Sequence, residues 1–173
     1  MDPAAVPSDA ALLLDTTVYR DQAKRAGLPA AVAALIAGRA VRHSRLCIGE
    51  LAFGYGHLDP AHPATERNGA VVLAMLDRMD EAAIVDLSAH GWAKAGALAG
   101  ILGRTQGFAR DQRREVLLDA ALFVTAQERG DTLVSGNLRH MDLLLQIGGP
   151  ASVLLYALPE PSRPPSPPES PRG

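Results

Sequence analysis

"LLDAALFVTAQERGDTLVSGNLRHMDLL", residues 117–144, carries the alternation on which the fold reading turns. Apolar side chains at helical spacing run from Leu117 to Ala126, and "ERG" (128–130) closes that helix. "DTLVS" (131–135) then reads as a strand and "NLRHMDLLLQ" (137–146) as a further helix. One residue breaks the apolar pattern. Asp119 has Val116, Leu122 and Phe123 three or four positions away, with Glu115 the only other polar neighbour. A lone carboxylate in such company is costly unless something compensates it, so Asp119 requires a partner.

Outward from this segment the alternation continues. "AALLL" (10–14) is a short apolar run suited to a buried parallel strand, and "VYRDQAKRAG" (18–27) and "PAAVAALIAG" (29–38) follow as helices. "SRLCI" (44–48) reads as the second strand and "GELAFGYG" (49–56) as a short helix after it. In "TERNGAVVLAMLDRMD" (65–80), Val71, Val72, Met75, Leu76 and Met79 fall at helical spacing and are expected in the core. "AAIVDL" (82–87) is the third strand, "HGWAKAGALAGIL" (90–102) a helix, and an arginine-rich loop leads into the Asp119 helix. "ASVLLY" (151–156) supplies a fifth strand. The fold class is therefore α/β, a three-layer sandwich around a mainly parallel five-stranded sheet.

Composition sets the outer bounds. With 173 residues, 47% of them apolar, the chain suits one core, assigned to residues 10–156. "PEPSRPPSPPESPRG" (159–173) contains seven prolines and no apolar anchor, so 157–173 is expected to be a disordered tail. No apolar run approaches the roughly 20 residues of a membrane span. The opening "MDPAAVPSDAALLLD" has no basic stretch of a secretory signal, so the expected location is cytoplasmic. Cys47 is the one cysteine, and in "RLCIGE" it is expected to be a buried structural thiol. A net charge of −2 gives no global attraction to nucleic acid. Yet of 17 basic residues only Lys24 and Lys94 are lysines, and arginines gather in "GRAVRHSR" (38–45) and "GRTQGFARDQRR" (103–114). Either they are simply solvated, or they bind phosphate, for which the planar guanidinium is well shaped. Arg110, Arg113 and Arg114 stand just before the Asp119 helix, where they would guide phosphates toward it.

Parallel α/β sheets place ligand sites at the carboxyl ends of their strands. Asp15 directly follows "ALLL", Glu50 comes two residues after "LCI", and Ser135 and Asn137 follow "TLV". A buried Asp119 on a neighbouring helix could meet all of them. Carboxylates gathered in one pocket repel and call for a cation. Oxygen donors without Cys or His suit Mg²⁺ or Mn²⁺, whose ligated water is the nucleophile for phosphodiester hydrolysis. Each residue also has a plainer reading. Asp15 is placed to cap the next helix, Glu50 to complement a helix dipole, Asn137 to be an N-cap, and Asp119 to pair with Arg113 or Arg45.

"LLLDTTVYRD", "IGELAFG" and the segment quoted first, in this order, resemble a PIN domain, and within that family a VapC-type toxin ribonuclease. The resemblance covers about residues 10–156. It implies a metal-binding set of Asp15, Glu50 and Asp119, with Asn137 at a fourth catalytic position and Thr16 and Thr17 at small hydroxyl positions. Thr16, Ser135, Arg113 and Arg114 are the expected substrate contacts. It also implies RNA as substrate, a homodimer, and a cognate antitoxin that silences the enzyme. One departure stands out: the family commonly has an acid three residues after the Asn, and this chain has His140. A second metal would then bind weakly. His140 is expected to be a solvated surface residue, a phosphate contact being the alternative, and Asp142 lies on a different helix face.

Two other enzyme classes fail on residues. A haloacid-dehalogenase-like phosphatase requires a second acid at position 17, which is Thr17, and no glycine-rich nucleotide-binding motif is present. The remaining alternative is a PIN-like module with weak or absent catalysis that binds RNA or an antitoxin.

Overall fold

A computed structural model describes residues 2–24 and 27–158. The proline-rich stretch 159–173, expected to be disordered, lies outside the described residues. The elements are β1 (Leu12–Leu14), α1 (Thr16–Gln22), α2 (Ala30–Ala37), β2 (Val41–Ser44), α3 (Arg45–Gly56), α4 (Thr65–Asp77), β3 (Ile84–Val85), α5 (Ala89–Thr105), α6 (Arg110–Arg129), β4 (Thr132–Ser135), α7 (Leu138–Ile147) and β5 (Ser152–Leu155). All five strands are parallel, in the order β3-β2-β1-β4-β5. This is the expected α/β architecture, and it is PIN-like.

The middle strand β1 is wholly apolar, and β4 is buried along its whole length, because helices cover both faces. Leu12, Leu13, Leu133 and Val134 are completely buried, as are Val116, Phe123 and Met141 on the flanking helices. Helix α6 ends at Gly130, whose φ of 68° is the left-handed conformation that glycine adopts without penalty. The chain leaves β1 toward β2 and β3 on one side and returns to β4 on the other. β1 and β4 therefore flank the switch point of the sheet, where such folds open a crevice.

Several boundaries differ from the sequence reading. "SRLCI" is not a strand. The strand is Val41–Ser44, Ser44 caps the helix by accepting from Leu46 N–H at 3.2 Å, and α3 starts at Arg45. Strand β2 was hidden because its polar side chains have specific distant partners: Arg42 donates to Asp131 at 2.8 Å, and His43 meets the Tyr19 hydroxyl at 2.7 Å. The arginine-rich stretch is also not a loop throughout, since α5 runs to Thr105 and α6 starts at Arg110. The Val and Met stripe of α4 is peripheral: Val72, Met75, Leu76 and Met79 only lean on the core, and Val71 is exposed. The packed region also extends before residue 10, with Val6 buried and Arg39 donating to the carbonyl of Val6 at 3.2 Å. Cys47 is buried as expected and its thiol donates to the Leu14 carbonyl at 3.4 Å; burial pushes its pKa up, which disfavours the thiolate.

Candidate active site

Asp15 ends β1 and begins α1. Its carboxylate caps that helix, accepting from the Thr17 amide at 3.4 Å and the Thr17 hydroxyl at 2.8 Å. The plain reading of Asp15 as a cap is thus true, but it is only part of the residue's environment. Ser135, at the end of the adjacent β4, also donates its hydroxyl to Asp15. The Ser135 oxygen in turn accepts the Asn137 amide at 2.9 Å, and the Thr17 oxygen accepts the Gly136 amide at 2.9 Å. The ends of β1 and β4 are stitched together around one carboxylate.

Asp119 reaches the same edge from α6. It is not fully buried, its side chain keeping 15% exposure. Neither Arg113 nor Arg45 is its partner: Arg113 donates to the Phe108 carbonyl at 3.1 Å, and Arg45 faces Asp86 at 3.6 Å. One carboxylate oxygen of Asp119, Oδ2, instead takes Asn137 Nδ2 at 2.9 Å and His140 Nδ1 at 2.5 Å. His140 is therefore not a solvated surface residue. It is buried, packed edge-on against Phe108 with ring centroids 5.3 Å apart, and turned toward Asp119. Asn137 has both roles weighed from sequence, since its Oδ1 also caps α7 by accepting from the His140 amide at 3.3 Å. Asp142 lies away from the site, exposed and bonded to Gln146.

Glu50 arrives differently from the expectation. It projects from the middle of α3, which starts at Arg45, rather than from the first turn of a helix that follows a 44–48 strand. Thr16 donates its hydroxyl to Glu50 Oε2 at 2.5 Å, which joins α1 to α3 across the crevice. Burial raises the pKa of both Glu50 and Asp119, and the charge of Asp15 raises each further. The donors that bond them, Thr16 for Glu50 and His140 for Asp119, act in the opposite direction. The three acids therefore feel one another electrostatically. Each is nevertheless turned onto its own donors, and among the described residues no group of three His, Cys, Asp or Glu side chains could hold a metal ion as placed. The donor type, carboxylate oxygens with mutual repulsion, suits a hard divalent ion.

An open cleft of about 1280 Å³ lies over Glu50 and Thr16, between α3 and α6. Arg20, Arg110 and Arg114 line it, with Phe53 and Leu118. Of the expected substrate contacts, Thr16 and Arg114 face this cleft. Ser135 is wholly buried beneath Asp15, and Arg113 points to the α5 side, beside Gly103 and Leu117. Sequence reasoning missed two residues, Arg20 and the site role of His140. Arg20 is one helical turn beyond Thr16, and His140 is one turn beyond Asn137, so spacing along α1 and α7 was the available signal.

The likeness to solved structures is one of fold, α/β and PIN-like. The protein matches one chain of the DNA-bound VapBC complex of Salmonella typhimurium at 19% identity and a TM-score of 0.58, covering 86% of this chain and 98% of that one. A chain of VapBC2 from Rickettsia felis, bound to a promoter DNA fragment, matches at 18% identity and 0.57, covering 84% and 98%. A chain of VapBC-5 from Mycobacterium tuberculosis, a member of the VapBC family of toxin-antitoxin systems, matches at 18% and 0.54, covering 86% and 98%. At such identities the likeness is one of fold. No family profile and no curated protein matches the sequence. Among the described residues no helix is long and apolar enough to cross a membrane.

Proposed function

We propose that the chain is a Mg²⁺- or Mn²⁺-dependent endoribonuclease, the toxin of a toxin–antitoxin pair. The observation that carries this reading is the approach of Asp15, Glu50 and Asp119 from three separate elements to the switch point of a PIN-like sheet, where the charge of Asp15 disfavours ionisation of the other two. Asp15, Asp119 and Glu50 would hold the ion. The chemistry a divalent ion would supply there is activation of water and offset of charge on the phosphate. The chain's own groups do the rest. Thr17 and Ser135 fix the Asp15 carboxylate, Asn137 and His140 fix that of Asp119, and Thr16 holds Glu50. Arg20, Arg110 and Arg114 would draw the RNA backbone into the cleft.

The partners follow from the same reading: single-stranded RNA as substrate, a cognate antitoxin as inhibitor, a second copy of the chain in a homodimer, and a cytoplasmic location. The toxin-antitoxin complexes of like fold support the antitoxin. Purified protein should cleave single-stranded RNA when Mg²⁺ or Mn²⁺ is present and stop in excess EDTA. Cleavage undiminished by EDTA contradicts the reading. A second reading, a binding module with weak or no turnover, is favoured by one observation: His140 occupies the position where the resembling family has another acid. Metal-dependent cleavage that vanishes in Asp15→Asn, by about a thousandfold or more, excludes that module.

A further inference from the structure

We propose that Phe53, together with His57 and Arg114, forms a stacking platform for one unpaired base of single-stranded RNA beside the carboxylates. The proposal rests on the ribonuclease reading and names what that site selects. The chain has three phenylalanines; Phe108 and Phe123 are 2% and 0% exposed, whereas Phe53 is 56% exposed on the wall of the cleft. Its ring lies 4.5 Å from that of His57 at an interplanar angle of 35°. The Arg114 guanidinium from the opposite helix stands 5.6 Å from its centroid. An exposed aromatic flanked by a guanidinium is how proteins hold bases without reading their identity.

Position supports the same occupant. Phe53 follows Glu50 by three residues, so the two share a face of α3 about 4.5 Å apart along its axis. A base on Phe53 would leave its own phosphate near Glu50. Gly49 and Gly54 lie on this wall too, and a Cβ added at either meets nothing within 4 Å. Packing therefore does not require glycine there, although helix interiors disfavour it. The missing side chains leave the wall low on both sides of the Glu50–Phe53 face, where a flat base and its sugar can approach. Charge completes the match. Arg20, Arg45, Arg110 and Arg114 line this cleft and outnumber its three acids, Glu50, Asp111 and Glu115, and guanidinium groups fit phosphate oxygens in paired hydrogen bonds. A protein segment is the competing occupant, and the experiment separates the two.

The test uses the full chain in EDTA, which stops metal-dependent cleavage, and a short single-stranded RNA carrying a fluorescent end label and one 2-aminopurine. The platform predicts quenching of 2-aminopurine on binding and weaker binding of the same sequence as a duplex, whose bases already stack on each other. Phe53→Ala should weaken binding about fivefold or more and abolish the quenching, while Phe53→Trp retains both. Its melting temperature should stay that of wild type, because the ring is exposed. RNA binding and quenching unchanged in Phe53→Ala overturn the platform and leave the ribonuclease reading standing. Failure of the wild type to bind single-stranded RNA or to quench the probe overturns the platform, whereas the ribonuclease reading falls only if cleavage with Mg²⁺ or Mn²⁺ is absent.

Discussion

Asp15 and Asp119 sit on a wall fastened to the sheet, whereas Glu50 sits on a helix that leans on the fold more lightly. On the first side, Ser135, Thr17, Gly136 and Asn137 form a continuous chain of hydrogen bonds across β1, β4 and α7, above a stretch of α6 that is buried from Ala120 to Ala126. On the second side, α3 buries only Cys47 and Leu51, and the adjoining α4 buries only Gly69, against which the Tyr55 ring packs. Phe53, Tyr55, Val71 and Leu73 are exposed there. Half of the site is held in place by the core, and the other half is carried by a helix pair that buries few side chains. The low burial of α3 and α4 identifies them as the elements of lowest local stability near the site.

The largest stability difference between the two walls should come from their hydroxyl groups. Ser135→Ala removes a wholly buried hydroxyl that both donates to Asp15 and accepts the Asn137 amide, and should cost about 2 kcal/mol. Thr16→Ala removes the single bond to Glu50, which lies beside the open cleft, and should cost less than about 1 kcal/mol. Denaturant unfolding of the two variants checks the comparison. Equal losses would mean that the α3 wall is as firmly built as the β1–β4 wall.

A smaller effect concerns pH. Burial and the charge of Asp15 raise the pKa of Glu50 above its ordinary value of 4.5, so the folded protein binds that proton more tightly than the unfolded chain does. The stabilisation from this group is complete below the unfolded pKa and is lost as pH rises through the folded one. In EDTA, Glu50→Gln should therefore be more stable than wild type near neutral pH, by less than about 1 kcal/mol because Glu50 is partly solvated. The gap should close on acidification toward the unfolded value. A gap that widens on acidification would show that Glu50 gains more from Thr16 than it loses to its neighbours.

The fold was legible where periodicity is undisturbed. "LLL" is a continuous apolar strand, "TLVS" has an apolar centre, and the 117–146 segment contains a helix stop, a strand and a capped helix in local chemistry alone. Strand β2 was not legible, because Arg42 and His43 are polar residues satisfied by Asp131 and Tyr19, far away in sequence. The apolar "LCI" beside them attracted the strand assignment, although Ser44 is a helix cap that marks the true boundary. In the site, Asp15 and Asn137 were legible from their positions at element ends, and Asp119 as a lone carboxylate within an apolar helix. His140 was not, because its partner Asp119 lies 21 residues earlier on another helix, and only the packing of α6 on α7 joins them.

The central claim is that Asp15, Glu50 and Asp119 share one cation, and melting curves of wild type and Asp119→Asn in EDTA and in Mg²⁺ test it most directly. Two unit charges about 5 Å apart at an effective dielectric near 20 repel by about 3 kcal/mol. The bonds from His140 and Asn137 offset part of this, so removing the Asp119 charge should stabilise the metal-free protein by about 1 kcal/mol. Mg²⁺ should then raise the melting temperature of wild type clearly and that of Asp119→Asn little, because an ion that binds only the folded state stabilises it by mass action. The contradicting result is a loss of about 3–5 kcal/mol for Asp119→Asn in EDTA, with no response of wild type to Mg²⁺. That outcome would make Asp119 a structural partner of His140 and nothing more.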